Sequence, residues 1–360
     1  MKTGILVTGI GSGGVGEQIV KALKIADRYK IIGSNTTPNI AVDVDSFHIL
    51  PPASDNTYIN KLQKLCKKLK IDVIIPGSEI ELEIISKKRH KFSDYMLPIQ
   101  PDKVIDICTN KLETMKFLRN NEFYHPRTLL VSGGANINTV KSWLPAVIKP
   151  VIGRGSNNVF IAQDMSEVSF FCNYLIKQNQ IPLVQEYVGS YNEEYTIGIL
   201  STLDGCLIHT IILKRDVEGI SRKLMVKKHT DRSDEIKVDR WASKMNLKNN
   251  PVSENLVISS GISQGQFVSN SVIKDCCEKV SKTLGSKGPL NIQCRVVGDK
   301  VYIFEINPRF SGTSSLRAMA GFNEPDILIR HHFEKEPLQN YTHKNINIGR
   351  KLIEFIREEE

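Results

Sequence analysis

Glu305, Asn307 and Arg309 have the types and the spacing to do chemistry. They close a run that begins at Val301, and residues 301–306 are β-branched or aromatic at nearly every position, which predicts a strand buried on at least one face. Side chains alternate along a strand, so the carboxylate, the amide and the guanidinium project to one side. Oxygen donors two residues apart, with a cation two further on, suit a divalent metal and a phosphate held together. The plainer alternative is a strand end that turns polar as it meets solvent.

The preceding segment decides what those residues face. Residues 290–297 alternate apolar and polar, and Gly298-Asp299 is a turn signal, so the two runs predict a hairpin. A two-residue loop sets Gln293 opposite Phe304. An odd loop of Gly298, Asp299 and Lys300 sets Gln293 opposite Glu305 and Asn291 opposite Asn307. The second register pairs polar with polar, as cross-strand pairing and a buried opposite face both favour, so Gln293, Glu305 and Asn307 are expected as one cluster.

Upstream, residues 4–9 read as a short apolar strand, 9–16 as a glycine-rich turn and 17–26 as a helix. A strand over 31–35, a helix over 58–70 and a strand over 71–76 ending at Gly77-Ser78-Glu79 follow. This alternation predicts a small doubly wound parallel sheet across about the first hundred residues. The spacing Gly9-x-Gly11-x-x-Gly14 matches a dinucleotide fingerprint. The acid expected at the end of the second strand is replaced by Ser34-Asn35, so tight turning and close helix packing are the competing role for the glycines.

The middle of the chain offers anion-binding candidates. Lys111 falls in the first turn of a helix over 112–120 capped by Thr109 or Asn110, where a cation opposes the helix dipole unless an anion is near. Lys149 ends a short strand, and residues 151–158 form a glycine-rich loop with amides free to wrap an anion, or an ordinary hairpin turn. It is not a Walker loop, because no Gly-Lys-Ser or Gly-Lys-Thr follows. Residues 181–188 and 193–200 read as further strands, the second opening on Glu193-Glu194, where a carboxylate could take ribose hydroxyls. The basic run 214–228, with Arg222 and Lys223, reads either as a holder of an anionic substrate or as a solvated loop. Residues 274–283 are helical, and 312–315 resemble a helix cap before 316–320.

Composition sets bounds. A chain of 360 residues, 41% hydrophobic and 24% charged, fits a soluble globular protein of two or three domains. The net charge of +9 helps attract an anionic ligand, but the lysine clusters lack interleaved aromatics, so no nucleic-acid partner is expected. Seven cysteines without a CxxC fit a reducing compartment, and His331-His332 would point to different helix faces rather than form a metal site. No apolar stretch approaches the roughly 20 residues of a membrane helix, and the opening residues lack a signal-peptide core, so a cytoplasmic protein with no membrane partner is expected.

In order and spacing these pieces resemble the ATP-grasp superfamily, particularly the branch with the carbamoyl phosphate synthetase large subunit and biotin carboxylase, over about residues 108–332. The resemblance implies an α/β fold, α+β in its C-terminal part. A Rossmann-like pre-ATP-grasp domain would cover 1–105, a lid subdomain 106–182 and a catalytic subdomain 183–335, with Mg-ATP between the two ATP-grasp lobes, while residues 336–360 read from their own pattern as an appended helical tail. It implies that Lys111 and Lys149 contact ATP phosphates, that Gly153, Arg154, Gly155 and Ser156 form the lid, and that Gln185, Glu186, Tyr187 and Val188 line adenine. Glu194 would take the ribose. Gln293, Glu305 and Asn307 would hold Mg²⁺, for which Mn²⁺ could substitute, and Arg309 would lie near the γ-phosphate and the substrate carboxylate, acting with Lys149 in catalysis.

Two positions depart from the family pattern. Gln293 stands where a carboxylate is frequent, although the synthetase resembles this chain in having glutamine, and Asn110 stands where aspartate commonly precedes the first lysine. The implied activity is a stand-alone ATP-dependent carboxylate–amine ligase that works through an acylphosphate on small-molecule acid and amine substrates, amino acids first among them; a homodimer is an assembly the sequence leaves open. The alternatives are a carbamoyl phosphate synthetase-like or carboxylase-type subunit acting with partner chains, disfavoured by the lack of a glutaminase partner, a duplicated half or a biotinyl carrier, and an NAD-binding oxidoreductase.

Overall fold

The structure, a computed structural model, describes residues 2–11, 13–38, 43–132, 136–153, 155–229 and 255–352. It divides into two compact units, one of residues 1–125, 192–216 and 261–360, the other of 126–191 and 217–260. The units interleave along the chain, which no division into consecutive segments expresses.

The first unit opens with a parallel sheet of β1 (Gly4–Val7), β2 (Lys30–Asn35), β3 (Ser46–Ile49) and β4 (Val73–Ile75) in the order β3-β2-β1-β4. Its helices are α1 (Val15–Ala26), α2 (Tyr58–Leu69) and α3 (Glu79–Lys87). Strand alternation sorts the apolar residues: Ile5, Val7, Ile31, Val73 and Ile75 pack with α1, while Leu6, Ile32 and Ile74 pack with α2 and α3. Both faces are thus covered, which is why these strands read as continuous apolar runs. The chain builds outward from β1 through β2 and β3, then returns to place β4 on the other side. The loops after β1 and β4 therefore meet at a topological switch point, where open α/β sheets form their binding crevice. They meet closely, since a Cβ on Gly77 would lie 2.1 Å from the Thr8 carbonyl oxygen.

Next come α4 (Asp102–Thr109) and α5 (Lys111–Asn120). Asn110 caps α5, its Oδ1 accepting from the amides of Leu112 at 3.0 Å and Glu113 at 3.2 Å. The second unit begins with β5 (Thr128–Leu130), β6 (Ala146–Pro150), β7 (Phe160–Ala162), α6 (Met165–Lys177) and β8 (Pro182–Glu186), the strands forming an antiparallel sheet in the order β5-β8-β6-β7. α6 covers it through Val168, Cys172 and Leu175. The chain then supplies β9 (Glu194–Ser201) and β10 (Leu207–Arg215) to the first unit, and returns to the second with the antiparallel pair β11 (Arg222–Lys227) and β12 (Asn255–Ser259). Much of the basic run 214–228 is therefore strand.

The remainder completes the first unit: β13 (Gly265–Val268), α7 (Ser271–Leu284), β14 (Pro289–Val297), β15 (Lys300–Asn307), α8 (Ser314–Met319), α9 (Glu324–His332) and β16 (Asn347–Ile348). Its larger sheet is antiparallel, in the order β15-β14-β9-β10-β13-β16. One face carries Tyr195, Ile197, Ile199, Ile292, Cys294, Ile303 and Ile306, which pack with α7 and with residues of α4 and α5. The period of two sends their neighbours to the other face, and on β9, β14 and β15 most of those neighbours are polar, Glu194, Thr196, Asn291, Gln293, Glu305 and Asn307 among them.

Two expectations are corrected here. Val297 pairs with Lys300, so the hairpin loop is the two residues Gly298-Asp299, with Gly298 at φ +62°. Gln293 nevertheless sits opposite Glu305, and Asn291 opposite Asn307, because the register shifts between Gln293 and Cys294. Cys294 faces Ile303, so Phe304 is the extra residue of a β-bulge, and the bulge rather than an odd loop restores the polar pairing. The expected helical tail is not helical over 336–352. Ile346, Ile348 and Tyr341 pack on the core beside α9, and β16 pairs with β13 as the sheet's edge strand. Residues 353–360 lie outside the described residues.

Candidate active site

The polar face is built row by row. In the first row Glu194 is 1% exposed, its Oε1 3.0 Å from Arg215 Nη1 and its Oε2 2.9 Å from Arg295 Nη2. In the second, Thr196, Gln293 and Glu305 stand abreast on β9, β14 and β15; in the third, Gly198, Asn291 and Asn307. Glycine at 198 has a visible reason: a Cβ there would lie 2.3 Å from Arg317 Nη1 and 2.7 Å from Glu324 Oε1. Buried Arg317 comes down from α8 onto that gap. Its Nη1 donates to Glu324 at 2.8 Å and its Nη2 to Asn291 Oδ1 at 2.6 Å, an oxygen that also accepts from the Thr196 hydroxyl at 2.9 Å.

Burial governs the electrostatics. It lowers the pKa of Arg317 and of Arg215, against the opposing pull of Glu324 on the first and of Glu194 and then Glu305 on the second. It raises that of Glu324, with Arg317 pulling the other way. Removal of either partner from such a pair strands a buried charge, so these contacts hold the rows in one arrangement.

Glu305 and Gln293, both half-buried, carry no hydrogen bond or ion pair among the described residues. Asn307 is 5% exposed; its Oδ1 accepts from Arg309 Nη2 at 3.1 Å, and its buried Nδ2 has no partner among the described residues. Buried polar capacity left over in this way points to a bound group. A carboxylate and amide oxygens are hard donors of the kind Mg²⁺ takes, and so small a set suits an ion that keeps waters and substrate phosphates in its shell. The spare Nδ2 is a donor, which a metal cannot satisfy and a phosphate oxygen can. The residues fit a metal–phosphate pair, whereas no group of three or more His, Cys, Asp or Glu able to hold a metal occurs among the described residues.

Arg309 completes this cluster: its Nη2 also lies 2.7 Å from Glu79 Oε1, and its Nη1 donates to the Phe310 carbonyl at 3.0 Å. Lys111 occupies the first position of α5, directly after its cap. In the second unit, Lys149 is 6% exposed and its Nζ donates to Gln185 Oε1 at 2.7 Å, a diagonal pair across β6 and β8, while Gln185 Nε2 donates to the Thr128 hydroxyl at 3.1 Å. Glu186 accepts from Arg127 Nη2 at 2.8 Å and Nε at 3.0 Å, which holds its carboxyl below the usual range. The Tyr187 hydroxyl bridges the backbone of Val257, donating to its carbonyl at 3.1 Å and accepting from its amide at 2.7 Å. Gly155 at φ +61° and Ser156 at φ +55° lie in the glycine-rich loop, where the Ser156 hydroxyl donates to the Ser259 carbonyl at 3.1 Å. Gly153 could not carry a Cβ without meeting Pro150 at 2.7 Å. Arg154 lies outside the described residues.

Sequence reasoning missed Arg215, Arg295, Arg317 and Glu324. One signal was available: a glycine inside an apolar strand, Gly198, marks a close approach by another group.

A Rossmann-like domain followed by antiparallel sheets of six, four and two strands in interleaved units, with the polar face described, is the ATP-grasp architecture. The chain has this fold. A family model described as "ATP-grasp in the biosynthetic pathway with Ter operon" matches residues 233–350, and one described as "PylC-like, N-terminal domain" matches residues 5–99. Among solved structures, the L-amino acid ligase from Bacillus licheniformis is similar with a TM-score of 0.59 at 15% identity, over 92% of this chain and 74% of that one. The biotin carboxylase domain of the Hydrogenobacter thermophilus 2-oxoglutarate carboxylase, in complex with MgADP, ADP and bicarbonate, gives a TM-score of 0.63 at 13% identity, over 97% and 73%. The N5-carboxyaminoimidazole synthetase from Staphylococcus aureus, complexed with ADP, gives 0.61 at 13%, over 96% and 81%. No curated protein matches the chain by sequence. No helix among the described residues is long and apolar enough to cross a membrane.

Proposed function

We propose that the chain is an ATP-dependent carboxylate–amine ligase that forms an amide or peptide bond through an acylphosphate, with small-molecule substrates. The observation that carries this reading is the row geometry of β14 and β15: Gln293, Glu305 and Asn307 share one face, the first two with no hydrogen bond or ion pair from their side chains among the described residues, and Arg309 stands beside them. The similarity to an L-amino acid ligase, and to a biotin carboxylase domain and an N5-carboxyaminoimidazole synthetase solved with MgADP or ADP, supports it.

In the reaction, a substrate carboxylate oxygen attacks the γ-phosphorus of ATP, and the bond to the β,γ-bridging oxygen breaks, releasing ADP. The amine lone pair then attacks the acyl carbon; phosphate leaves and the nitrogen gives up a proton. Mg²⁺ on Glu305, Asn307 and Gln293 would neutralise and orient phosphate oxygens. Lys111 and Lys149 offset phosphate charge, and Arg309 steadies the transferring group, because phosphoryl transfer is catalysed by positioning and electrostatics rather than by a nucleophilic triad. The loop of Gly153, Arg154, Gly155 and Ser156 closes over the phosphates and keeps water from the acylphosphate. Gln185 to Val188 line the adenine. The occupied carboxylate of Glu194 argues for a supporting role under the metal ligands instead of a ribose contact.

ADP and phosphate release, screened with pairs of the twenty amino acids, tests this directly. One or more pairs should stimulate release, and Glu305→Ala or Lys149→Ala should lower it by a factor of order 10². Wild-type turnover in either variant overturns the assignment.

A further inference from the structure

The tail joins the larger sheet as an edge strand and closes a network of hydrogen bonds. β16 lies against β13, with Asn347 opposite Gln266 and Ile348 opposite Gly265, and two residues beyond Ile348 the chain presents Arg350. Its half-buried guanidinium meets neutral oxygens: Nε donates to the Ser263 carbonyl at 3.0 Å, Nη1 to Gln18 Oε1 at 2.8 Å and Nη2 to the Gly312 carbonyl. Gln18, 1% exposed, lies near the start of α1. Its Oε1 also accepts from the Ser315 hydroxyl at 2.6 Å, and its Nε2 donates to the Gly13 carbonyl at 3.4 Å. The glycine-rich turn after β1, the loop from Arg309 into α8 and the tail thus meet on one guanidinium fork and one amide.

That loop matters because of the residue it follows. Gln293, Glu305 and Asn307 are placed by strand register, but Arg309 is the second residue past the end of β15, and its direction depends on the turn it enters. Within the turn the Ser311 amide donates to Ser314 Oγ at 3.2 Å, the Thr313 amide to Ser311 Oγ at 3.0 Å and the Ser314 amide to the Ser311 carbonyl at 3.0 Å. Gln18 and Arg350 tie this self-bonded turn to α1 and to the segment before β13. We infer that Arg350 is a positioning residue for phosphoryl transfer, acting through the Gly312 carbonyl to hold the turn after β15, and so Arg309, in one place; this rests on the ligase reading above. A planar fork spans three oxygens in fixed directions as a point charge cannot, so the geometry of the guanidinium is what counts. Because Arg309 steadies the group in transfer, slack in the turn is felt when the phosphoryl group moves and not when ATP binds to the lysines and the metal.

Two measurements on the full chain test this. In the first, amide hydrogen exchange is followed without ligand. The amides of Ser311, Thr313 and Ser314 should exchange about tenfold to a hundredfold faster in Arg350→Ala, the worth of a hydrogen bond from a charged group, while β1 and β2 exchange as in the wild type. In the second, ADP release is measured with a stimulating amino-acid pair: kcat should fall by a similar factor, with KM for ATP within about twofold of wild type. Arg350→Lys should behave as the alanine variant does, and Gln18→Met, which removes the shared acceptor and leaves Arg350 in place, should show the same pattern. Exchange at the wild-type rate in Arg350→Ala overturns the inference, as does recovery of kcat in Arg350→Lys, which would make charge the cause. Faster exchange in β1 and β2 as well, or a rise in KM for ATP, would show general loosening and overturn it too. If no pair stimulates release from the wild type, the ligase reading falls and takes the role in transfer with it, whereas the exchange result still decides whether Arg350 holds the turn.

Discussion

Replacement of Glu194 by glutamine separates two roles for one residue. Both oxygens of its carboxylate are engaged, by Arg215 at 3.0 Å and Arg295 at 2.9 Å, with the Glu194 and Arg215 side chains each 2% exposed and Arg295 9%. Glutamine keeps the shape and loses the negative charge that both buried guanidiniums face. Loss of one partner from a buried pair costs about 3–5 kcal/mol. For a unit of roughly this size each kcal/mol moves the melting temperature by about 2 °C, so Glu194→Gln should lower Tm by about 6–10 °C. The assay is thermal unfolding without nucleotide at neutral pH, alongside calorimetric titration with Mg-ATP. A ribose ligand open to solvent would behave in the opposite way, with nucleotide affinity reduced and Tm nearly unchanged. A Tm within about 2 °C of wild type together with weakened ATP binding would refute the account of the buried triad.

Two further outcomes follow from the same contacts. Gly198→Ala puts a methyl group 2.3 Å from Arg317 Nη1, so it should destabilise the first unit by about 2–4 kcal/mol, and a denaturant midpoint equal to wild type would show that α8 can yield. His209, whose Nε2 meets His343 Nδ1 at 2.8 Å, has its pKa pushed down to about 4 by burial and then by His343. The folded chain keeps it neutral while the unfolded chain protonates it near pH 6.5, so its contribution is complete above that pH and is lost as the pH falls toward 4. His209→Gln should flatten the decline of Tm across that window, by about 1–3 kcal/mol after allowance for residual exposure, and an unchanged decline would mean that other groups carry it.

What was legible in the sequence had a local cause. The polar face of β14 and β15 follows from a period of two, the cap at Asn110 from residue type, and the parallel sheet from alternating strands and helices. The loop count failed because a bulge at Phe304 leaves no mark on the pattern: one residue moves out of register and the alternation resumes. Arg215 read as part of a basic surface run because its counter-charge, Glu194, is on another strand and its burial depends on the whole sheet. Arg317 and Glu324 are seven residues apart and meet above a glycine more than a hundred residues upstream, which no spacing rule connects. The tail read as helix because its charges and apolar residues suit one, yet the core beside α9 offers Ile346 and Ile348 a place only in extended form.

The central claim is that a carboxylate is activated by phosphoryl transfer. It is tested most directly with a stimulating amino-acid pair whose acid component carries ¹⁸O in its carboxylate. The phosphate released by the wild type should carry one heavy oxygen, handed over when the acylphosphate is broken by the amine, and Glu305→Ala should release almost none. ADP formed together with unlabelled phosphate would mean that water, not the carboxylate, receives the phosphoryl group, and would contradict the account.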